Sequence, residues 1–571
     1  MAEKIISPGV FTRENDKSLV QRGIPEVGAA IVGPTVKGNP IAPTVVTSYS
    51  EYLSVFGDVF KSGSNYYEYY TSLAAKEYFN NGGRSLLVTK IISGSSYSTY
   101  ASSSVASATA GTASFTLEAT HWGDVSNNAG GAETSGALAS GSADNVRWEV
   151  SNVNNTKGTF TVSVRRGDDN TNSKNVIETF TNLSLDPTQP NYISRVIGDT
   201  KPVYNSSKGL VEISGSFDGG SSFVRVKSVT NTIDSIDNNG TYKASTFSGS
   251  LPAVASGSFS GGVAATNRAA SFFEANDTAA TECQGFAAAD YSAALTLLSN
   301  KDEYDFNLLI VPGVTLGTGA LSSIADDVIA VCEGRGDSMA ILDCTAYGAN
   351  VAAAVTASDT NSSSYGATYY PWVQIFSGNL GKAVWCPPSV VMGGVFAFND
   401  QVGAEWFAPA GLNRGGISSV LRAERRLSQN DRDSLYDTNV NPLASFPGEG
   451  VVAFGQKTLQ KKSTSLDRIN VRRLLITLKR FLGQVGRSLV FEQNTSTTRN
   501  KFLSVSEPYL ESVVQRQGLY AYKIVMDDSN NTADVIDRNQ LVGQIYLQPS
   551  KTAEFIVLDF TVLPTGATFP G

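Results

Sequence analysis

The sequence is poor in the residues on which most enzymes and metal sites depend. It has one histidine, His121, so a Ser-His-Asp triad or a multi-histidine metal site would have to be built on that single residue. Its four cysteines (Cys283, Cys332, Cys344 and Cys386) form no Cys-x-x-Cys pair, which argues against a zinc ribbon or a disulfide scaffold. We therefore expect a chain that is not an enzyme, with no catalytic residue, cofactor or metal site, folded in a reducing cytoplasm.

Long apolar runs and a strong net charge are also missing. No stretch reaches the roughly 18 consecutive apolar residues of a membrane-spanning helix, and the amino terminus lacks the apolar segment of a secretion signal. Charged residues make up only 17% of the chain, and the net charge is −8. Such a mildly acidic chain is not typical of bulk nucleic-acid binding. We expect no stable membrane insertion and no direct nucleic-acid contact.

The cations that are present are unevenly distributed. Residues 411–487 hold 14 Lys and Arg against 6 Asp and Glu, while no Lys or Arg lies between Ile91 and Val146. An asymmetry of this kind indicates one face that meets an acidic partner.

The hydrophobic pattern changes twice along the chain. Strand and helix patterns alternate in residues 29–91, where the apolar run 29–33 predicts a buried strand. They alternate again in 291–344, where the order strand–helix–strand predicts a parallel sheet. The region between is rich in Ser, Gly, Thr and Asn, with alternating runs such as 146–150 that predict antiparallel strands. Apolar faces at helical spacing, each followed by glycine, predict helices at 50–57 and 66–79.

These patterns predict a multidomain α/β (α+β) chain whose α/β core is built from both chain ends. The expected units are an extended arm at 1–20, the first part of the core at 21–93, an inserted β-rich outer domain at 94–270, a parallel-sheet α/β middle domain at 271–368, the second part of the core at 369–553, and a C-terminal strand or arm at 554–571.

Two short segments resemble ligand-binding loops but lack their essential residues. Residues 311–319 open like a phosphate loop, yet Ser322 occupies the third glycine position of G-x-G-x-x-G. Residues 527–531 begin like a calcium-binding EF-hand loop, but the glycine is missing and the twelfth position is Arg538. We interpret the first as a strand-to-helix turn and the second as a polar turn.

The strongest physical signal is an amphipathic helix predicted at 466–489. At 100° per residue, its apolar side chains fall within an arc of about 120° and six cations fall within the opposite 140° or so. The cations are Arg468, Arg472, Arg473, Lys479, Arg480 and Arg487. Because like charges at i,i+4 repel, an anion-free stripe favours a surface for an acidic partner, either protein or nucleic acid.

Short motifs follow one another in a fixed order near both ends of the chain. They are Ser-Pro-Gly-Val-Phe at 7–11, Ala-Ala-Ile-Val-Gly-Pro at 29–34, Tyr-Phe-Asn-Asn-Gly-Gly at 78–83, Ala-Pro-Ala-Gly at 408–411, Gly-Val-Val-Ala-Phe-Gly-Gln-Lys-Thr-Leu at 450–459, Ile-Asn-Val-Arg-Arg-Leu at 469–474, Val-Phe-Glu-Gln-Asn at 490–494 and Ala-Glu-Phe-Ile at 553–556. In this order and spacing the motifs resemble the tail sheath proteins of contractile phage tails.

The resemblance implies a structural protomer of a contractile sheath. Such a protomer polymerises helically around the inner tail tube and contracts to drive the tube through the host envelope during genome delivery. The implied partners are further copies of the chain in stacked rings, the inner tail tube protein, and baseplate and tail terminator proteins. The implied location is the tail sheath of the virion, after assembly in the host cytoplasm.

Three alternatives stay open at this point. The first is the sheath of a related contractile injection machine, either a tailocin or a secretion system. The second is an adhesin-type virion protein, which only the Ser/Thr-rich β region favours. The third is an α/β enzyme, which needs a polar catalytic cluster that the sequence does not display.

The basic helix supplies the candidate contact with the tube. Arg468, Arg472 and Lys479 lie within about 40° of arc, so they are the predicted tube-contact residues. The other three cations, Arg473, Arg480 and Arg487, fall apart from this stripe, and we expect them to pair within the sheath.

The chain ends supply the candidate contacts between subunits. In the family, terminal arms add β-strands to neighbouring subunits, a mode in which main-chain hydrogen bonds provide the affinity. The resemblance therefore makes Val10 and Phe11, together with Phe555, Ile556 and Val557, the candidate inter-subunit arm residues.

Overall fold

The computed structural model describes most of the chain between residues 28 and 555. The described ranges are 28–62, 65–92, 100–109, 112–120, 126–128, 136–237, 239–243, 247, 249–262, 272–273, 283–317, 319 and 321–555. Within these ranges, no helix combines the length and apolar character that crossing a membrane requires. All four cysteines are buried, and none forms a disulfide.

The described residues form 24 strands and 11 helices. The strands are β1 (Ala29–Gly33), β2 (Thr44–Val46), β3 (Val59–Ser62), β4 (Asn65–Glu68), β5 (Leu86–Lys90), β6 (Ser102–Ala106), β7 (Ala113–Ala119), β8 (Val146–Asn154), β9 (Thr159–Arg166), β10 (Val176–Ser184), β11 (Lys201–Asn205), β12 (Leu210–Ser214), β13 (Val224–Val229), β14 (Ala255–Ser258), β15 (Leu308–Thr315), β16 (Met339–Asp343), β17 (Gly366–Tyr370), β18 (Val373–Ser377), β19 (Lys382–Cys386), β20 (Val420–Ala423), β21 (Asn441–Phe446), β22 (Gly450–Ala453), β23 (Leu519–Val525) and β24 (Gln544–Pro549). The helices are α1 (Tyr49–Phe56), α2 (Tyr70–Asn80), α3 (Ile193–Ile197), α4 (Ser292–Leu298), α5 (Ser322–Arg335), α6 (Val351–Ser358), α7 (Pro388–Val402), α8 (Gln429–Asp437), α9 (Ile469–Arg487), α10 (Ser496–Gln515) and α11 (Ala533–Asp537).

Strands from distant parts of the chain form one eight-stranded sheet. Its order is β2-β5-β1-β15-β16-β17-β21-β22. The six inner strands run parallel, and β2 and β22 pair antiparallel at the two edges. The parallel sheet predicted from the strand–helix–strand order is confirmed. Pairing of β1 with β15 and of β17 with β21 joins strands that the sequence analysis assigned to three units, so the middle unit forms the centre of the core sheet.

The inner strands of this sheet are mostly apolar in sequence. Strands β1, β5, β15 and β16 are buried at every position, as expected for parallel strands covered on both faces. Residues 29–33, predicted as a buried strand from their sequence, form β1 with those bounds. Helices α2 and α7 contact each other and strand β15, and α5 contacts β15 and β16.

The buried side chain of Asp343 joins two neighbouring segments at the C-terminal ends of the parallel strands. Asp343, at the end of β16, accepts hydrogen bonds from the Gly313 amide at 2.9 Å and from the Ser389 amide and hydroxyl at 2.8 and 2.7 Å. Burial raises the pKa of Asp343 to about 6, although these donors oppose the shift. Gly313 has φ +85°, and a Cβ there would lie 2.2 Å from the Cys283 Sγ, so the turn requires glycine. The loop that resembled a phosphate site is thus bound to Asp343.

Residues 101–259 contain a second apolar core. Sheets β10-β9-β8-β14 and β13-β7-β6 supply its side chains, among them Phe115, Trp148 and Phe160. The apolar residues around the eight-stranded sheet form the first core. Tyr100 links the β-rich part to the segment between β1 and β2 of that sheet through a hydrogen bond of 3.3 Å to the Asn39 side chain. The antiparallel β-rich structure predicted for this region is confirmed by the pairing of its strands.

Two phenylalanines beyond the predicted end of the insertion belong to the first core. Phe272 contacts the ring of Tyr67 at 5.0 Å, and Phe273 contacts that of Tyr70 at 6.2 Å between centroids. Aromatic pairs of this kind add to the stability that burial itself provides. A replacement of the β-rich insertion must therefore keep both residues.

The helix predicted at 66–79 is partly wrong. Helix α2 begins at Tyr70, while Asn65–Glu68 form strand β4, which pairs with β3. Tyr66 and Tyr67 favour an extended chain, and the Glu68 side chain accepts a hydrogen bond from Ser377 at 2.5 Å. Ser377 is distant in the sequence, so helical spacing alone does not reveal its contact with Glu68.

Candidate interaction surface around the basic helix

Helix α9 forms because its apolar positions repeat at helical spacing. Leu474 and Leu478 are buried against Leu510 and Val513 of α10 and against Trp406. The helix follows a short 3-10 turn, Ser465–Asp467, which the Thr464 side chain caps by accepting from the Leu466 amide. The amphipathic helix predicted at 466–489 is thus found at 469–487, with its apolar face packed against other elements.

Arg473 pairs with an aspartate inside the protein. Its guanidinium donates to both carboxylate oxygens of Asp400 at 2.6 Å, and its side chain is only 3% exposed. It also lies 5.1 Å from the centre of the Phe396 ring. This planar, bidentate geometry is the one in which arginine–carboxylate pairs are strongest.

Arg472 is buried, and this corrects the prediction that it belongs to a solvent-accessible stripe. Its side chain lies over the Tyr365 ring, 4.1 Å from the centre, and donates to the Ser364 hydroxyl. The residue is 4% exposed. Burial lowers the pKa of Arg472 from its ordinary value. In this structure its guanidinium is not available to a partner.

Two further cations of α9 pair with the segment that follows α4. Arg480 donates to Asp305, and Arg487 donates to Asp302 at 3.1 Å. The Arg480 side chain is 11% exposed, whereas that of Arg487 is 70% exposed. Anions from other elements therefore compensate a stripe that contains no anion in its own sequence.

Arg468 holds the last described residues of the chain in a clamp. Its guanidinium donates to the two carboxylate oxygens of Glu554 at 2.6 and 3.0 Å. Glu554 also accepts hydrogen bonds from the Tyr436 hydroxyl at 2.9 Å and from the side-chain amide of Gln456 at 3.0 Å. Partial burial alone would raise the pKa of Glu554, but these donors outweigh it and hold that pKa below its ordinary value.

Replacing Glu554 by alanine should free residues 550–555 from this clamp. Three donors lose their charged acceptor, and we expect a loss of about 1–2 kcal/mol in the free energy of unfolding, since part of the site is open to solvent. Hydrogen–deuterium exchange should rise in the peptide that contains residues 550–555. Asp534→Ala removes only an exposed pair with Arg538 and serves as the matched control, with little change in either measurement. Unaltered exchange in Glu554→Ala would contradict the clamp.

Lys479 remains exposed. Its nearest hydrogen-bonding partner is the Tyr365 hydroxyl at 3.4 Å. Of the three predicted tube-contact residues, the structure thus places one at the surface, one in the interior and one in the clamp with Glu554. The tube contact itself stays a prediction, and it now rests on Lys479 with the partly exposed edge of Arg468.

A groove opens beside the clamp. It has a volume of about 900 Å³, and its walls include Trp406, Tyr436, Phe454, Tyr520 and Arg414. Phe555, one of the predicted arm residues, lies at the groove and is 80% exposed. The other predicted arm residues, Val10, Phe11, Ile556 and Val557, lie outside the described residues.

The sequence analysis missed the anions of this surface. Asp400, Asp302, Asp305 and Glu554 all lie outside the amphipathic segment, and nothing in their own neighbourhoods identifies them as partners of α9. Only the surplus of positive charge in residues 411–487 indicated that such anions were required somewhere.

Two family models of phage tail sheath domains match the second half of the chain. A family model of the phage tail sheath protein central domain matches residues 284–459. A model of the phage tail sheath C-terminal domain matches residues 461–562. The two matches adjoin, and together they include strands β15–β24 and helix α9.

Individual relatives match over a shorter stretch. The tail sheath proteins of Vibrio phage KVP40 and Enterobacteria phage T4 are 40% and 38% identical to this chain over 185 residues. Each alignment covers 32% of this chain and 28% of the relative, so the chain matches less than a third of the relatives' length. These relatives are named for a structural component, which agrees with the expectation of a chain that is not an enzyme.

A solved structure shares the fold. The sheath tail protein of Listeria innocua superimposes with a TM-score of 0.54 over 92% of this chain and 95% of its own, at 9% sequence identity. This likeness supports the multidomain α/β architecture predicted from the sequence.

Proposed function

The chain belongs to the phage tail sheath family, and on that premise we propose that it is the structural protomer of a contractile tail sheath. The observation that carries the proposal is the pair of adjoining sheath-domain matches over residues 284–562. In this role the chain polymerises helically around an inner tail tube and contracts to drive the tube through the host envelope during genome delivery. The sheath of a related injection machine, a tailocin or a secretion system, is the alternative role.

The proposed partners follow from that role. They are further copies of this chain, the inner tail tube protein, and baseplate and tail terminator proteins. The proposed location is the tail sheath of the virion, reached after assembly in the host cytoplasm. The β-rich part, which has its own core, is proposed to lie on the outside of the assembly as a decoration.

The two-stranded sheet β23–β24 supports exchange of arms between subunits. It has only two strands, so each strand has one edge that pairs with no described strand. An open edge accepts a further strand from another chain through main-chain hydrogen bonds. We propose that the candidate arm residues near both chain ends add to such edges.

Deleting residues 1–20 should abolish polymerisation and leave a soluble, folded protein, because the arm provides contacts between subunits and no described part of either core. Electron microscopy of the purified full-length protein should show long hollow tubes with outer protrusions from the β-rich part. The truncated protein should remain monomeric in analytical ultracentrifugation, with an unchanged circular dichroism spectrum.

Two results would contradict these proposals separately. A full-length protein that stays monomeric at every concentration would oppose the sheath function. Normal tubes from the truncated protein would oppose only the role of the arm.

A further inference from the structure

The turn between α9 and α10 presents an apolar side chain fully to solvent. Phe491 is 101% exposed and has φ +71°, and Val490 beside it is 59% exposed. A bulky residue in the left-handed region is uncommon and strained, and such strain is retained chiefly at functional sites. The next residue, Glu492, is exposed, and its carboxylate makes no ion pair with any residue that the structure describes. We call residues 490–492 the knob.

The groove beside the clamp has the complementary character. Phe454 and Tyr520 are 46% and 67% exposed along it, and its volume of about 900 Å³ lies within the range of sites that enclose a ligand, about 300–1,000 Å³. Three cations, Arg414, Arg432 and Lys551, line it together with the carboxylates of Asp433 and Glu554. We call this cavity the aromatic groove.

Arg414 makes the groove suited to a partner that carries a carboxylate. Its Nε is buried and donates to no acceptor among the described residues, and its guanidinium lies 4.8 Å from the centre of the Phe407 ring. No carboxylate of the described chain pairs with it. Glu554 also lines the groove, but its carboxylate is bound to Arg468. A partner that brings both an aromatic ring and a carboxylate therefore fits this groove.

The knob and the groove lie at opposite ends of the same helix pair. Asn470 at the start of α9 and Gln517 just after α10 both line the groove, whereas the knob lies in the turn between the helices. Stacking of Phe481 on Tyr509, with 3.7 Å between ring centres, shows that the two helices run side by side. The 19 residues of α9 separate the ends by about 28 Å at 1.5 Å per residue. A knob therefore cannot enter the groove of its own chain.

We propose that the knob of one copy inserts into the aromatic groove of a second copy, with Glu492 pairing with Arg414. Two different surfaces then meet head to tail, and such a contact builds a helical polymer when its rotation does not close a ring. The apolar part of the contact buries Phe491, and the ion pair sets its direction. This inference rests on the proposed sheath function and adds one of the interfaces that self-assembly requires.

Reversed charges test the pairing. Arg414→Glu and Glu492→Arg should each raise the concentration needed for tube formation roughly tenfold or more, because like charges then meet at the contact. Mixing the two variants, or combining both changes in one chain, should restore tubes, since each reversed groove again meets an opposite charge. Phe491→Asp should block tubes as well, while Phe376→Asp, at another exposed phenylalanine (57%), should not.

Cross-linking tests the geometry independently of tube formation. A Phe491→Cys chain mixed with a Phe454→Cys chain should give, on oxidation, a disulfide that joins position 491 of one chain to position 454 of the other, as identified by mass spectrometry of the linked peptides. The four natural cysteines are buried and should not interfere. If wild-type tubes form, but Phe491→Asp forms them equally well and no cross-link appears, the proposal is wrong.

The tube-formation test also distinguishes the knob from other segments that could occupy the groove. Arg414→Glu that blocks tubes while the knob variants do not would overturn the proposal in favour of another segment, such as residues 1–27 of a second copy. A wild-type protein that forms no tubes, yet gives the cross-link, would oppose the sheath function and retain the contact.

Discussion

Replacing Arg472 by glutamate should lower the free energy of unfolding by about 3–5 kcal/mol, the cost of leaving an uncompensated charge inside a protein. The arginine is 4% exposed and covers the Tyr365 ring. A carboxylate at this position cannot make the cation–π contact and is held inside the protein. The negative charge of Glu333, which now interacts favourably with Arg472, would repel it.

Lys479→Glu is the matched control in the same helix. Lys479 is exposed, and its hydrogen bond to the Tyr365 hydroxyl is long, at 3.4 Å. Reversal of its charge should therefore change the free energy of unfolding by less than about 1 kcal/mol. Arg472→Met, which keeps the length and apolar stem of the side chain, should cost less than Arg472→Glu.

Urea unfolding followed by circular dichroism measures all three variants. The Arg472→Glu midpoint should fall well below the others with an unchanged slope. An unaltered midpoint would mean that Arg472 reaches solvent and remains a candidate for the tube surface. Because Arg472 is buried and Lys479 is exposed, Lys479→Glu is the variant of this pair whose effect on tube attachment can be measured in a folded protein.

The sequence predicted those parts of the fold that local patterns determine. The buried strand at 29–33 and the amphipathic helix α9 follow from the spacing of apolar residues, which fixes the face that each element buries. The order of strands within the large sheet did not follow, because pairing of β1 with β15 joins residues almost 280 positions apart and leaves no local signal.

The interaction surface was predicted less well than the fold, and the reason is electrostatic. A helical projection shows where Arg472 and Arg473 point, but whether that direction is solvent depends on Tyr365 and Asp400, which come from other elements. A stripe of six cations without an anion indicated an acidic partner, and for Arg468, Arg473, Arg480 and Arg487 that partner is the same chain. The knob was visible in the sequence as Val-Phe-Glu, but its exposure and its φ angle were not.

Glu68 should make the protein less stable as the pH rises from 5 to 8. This side chain is fully buried. It accepts from Ser377 at 2.5 Å and from Asn379 at 3.2 Å, and Asn379 also donates to Asp58. Burial, and next a hydrogen bond and charge repulsion from Asp58, raise the pKa of Glu68 from 4.5 to about 8.

The sign follows from proton binding. Between pH 4.5 and about 8 the unfolded chain has released the Glu68 proton while the folded chain retains it, so the folded state binds more protons. The free energy of unfolding therefore falls with pH in this window, by at most about 1.4 kcal/mol per pH unit from this group, and levels off above it. Stability from the retained proton is complete below pH 4.5 and is lost by about pH 8.

Glu68→Gln removes this dependence, because a glutamine amide donates to Asp58 without ionising and its carbonyl still accepts from Ser377. Its advantage over the wild type in thermal or urea unfolding should be small at pH 5 and grow steadily to pH 8. Glu507→Gln, at an exposed position of α10, should track the wild type throughout. If the difference between Glu68→Gln and the wild type does not vary with pH, then Glu68 ionises in the folded protein as it does in the unfolded chain. The contact between β4 and the β18–β19 hairpin would then tolerate two neighbouring negative charges.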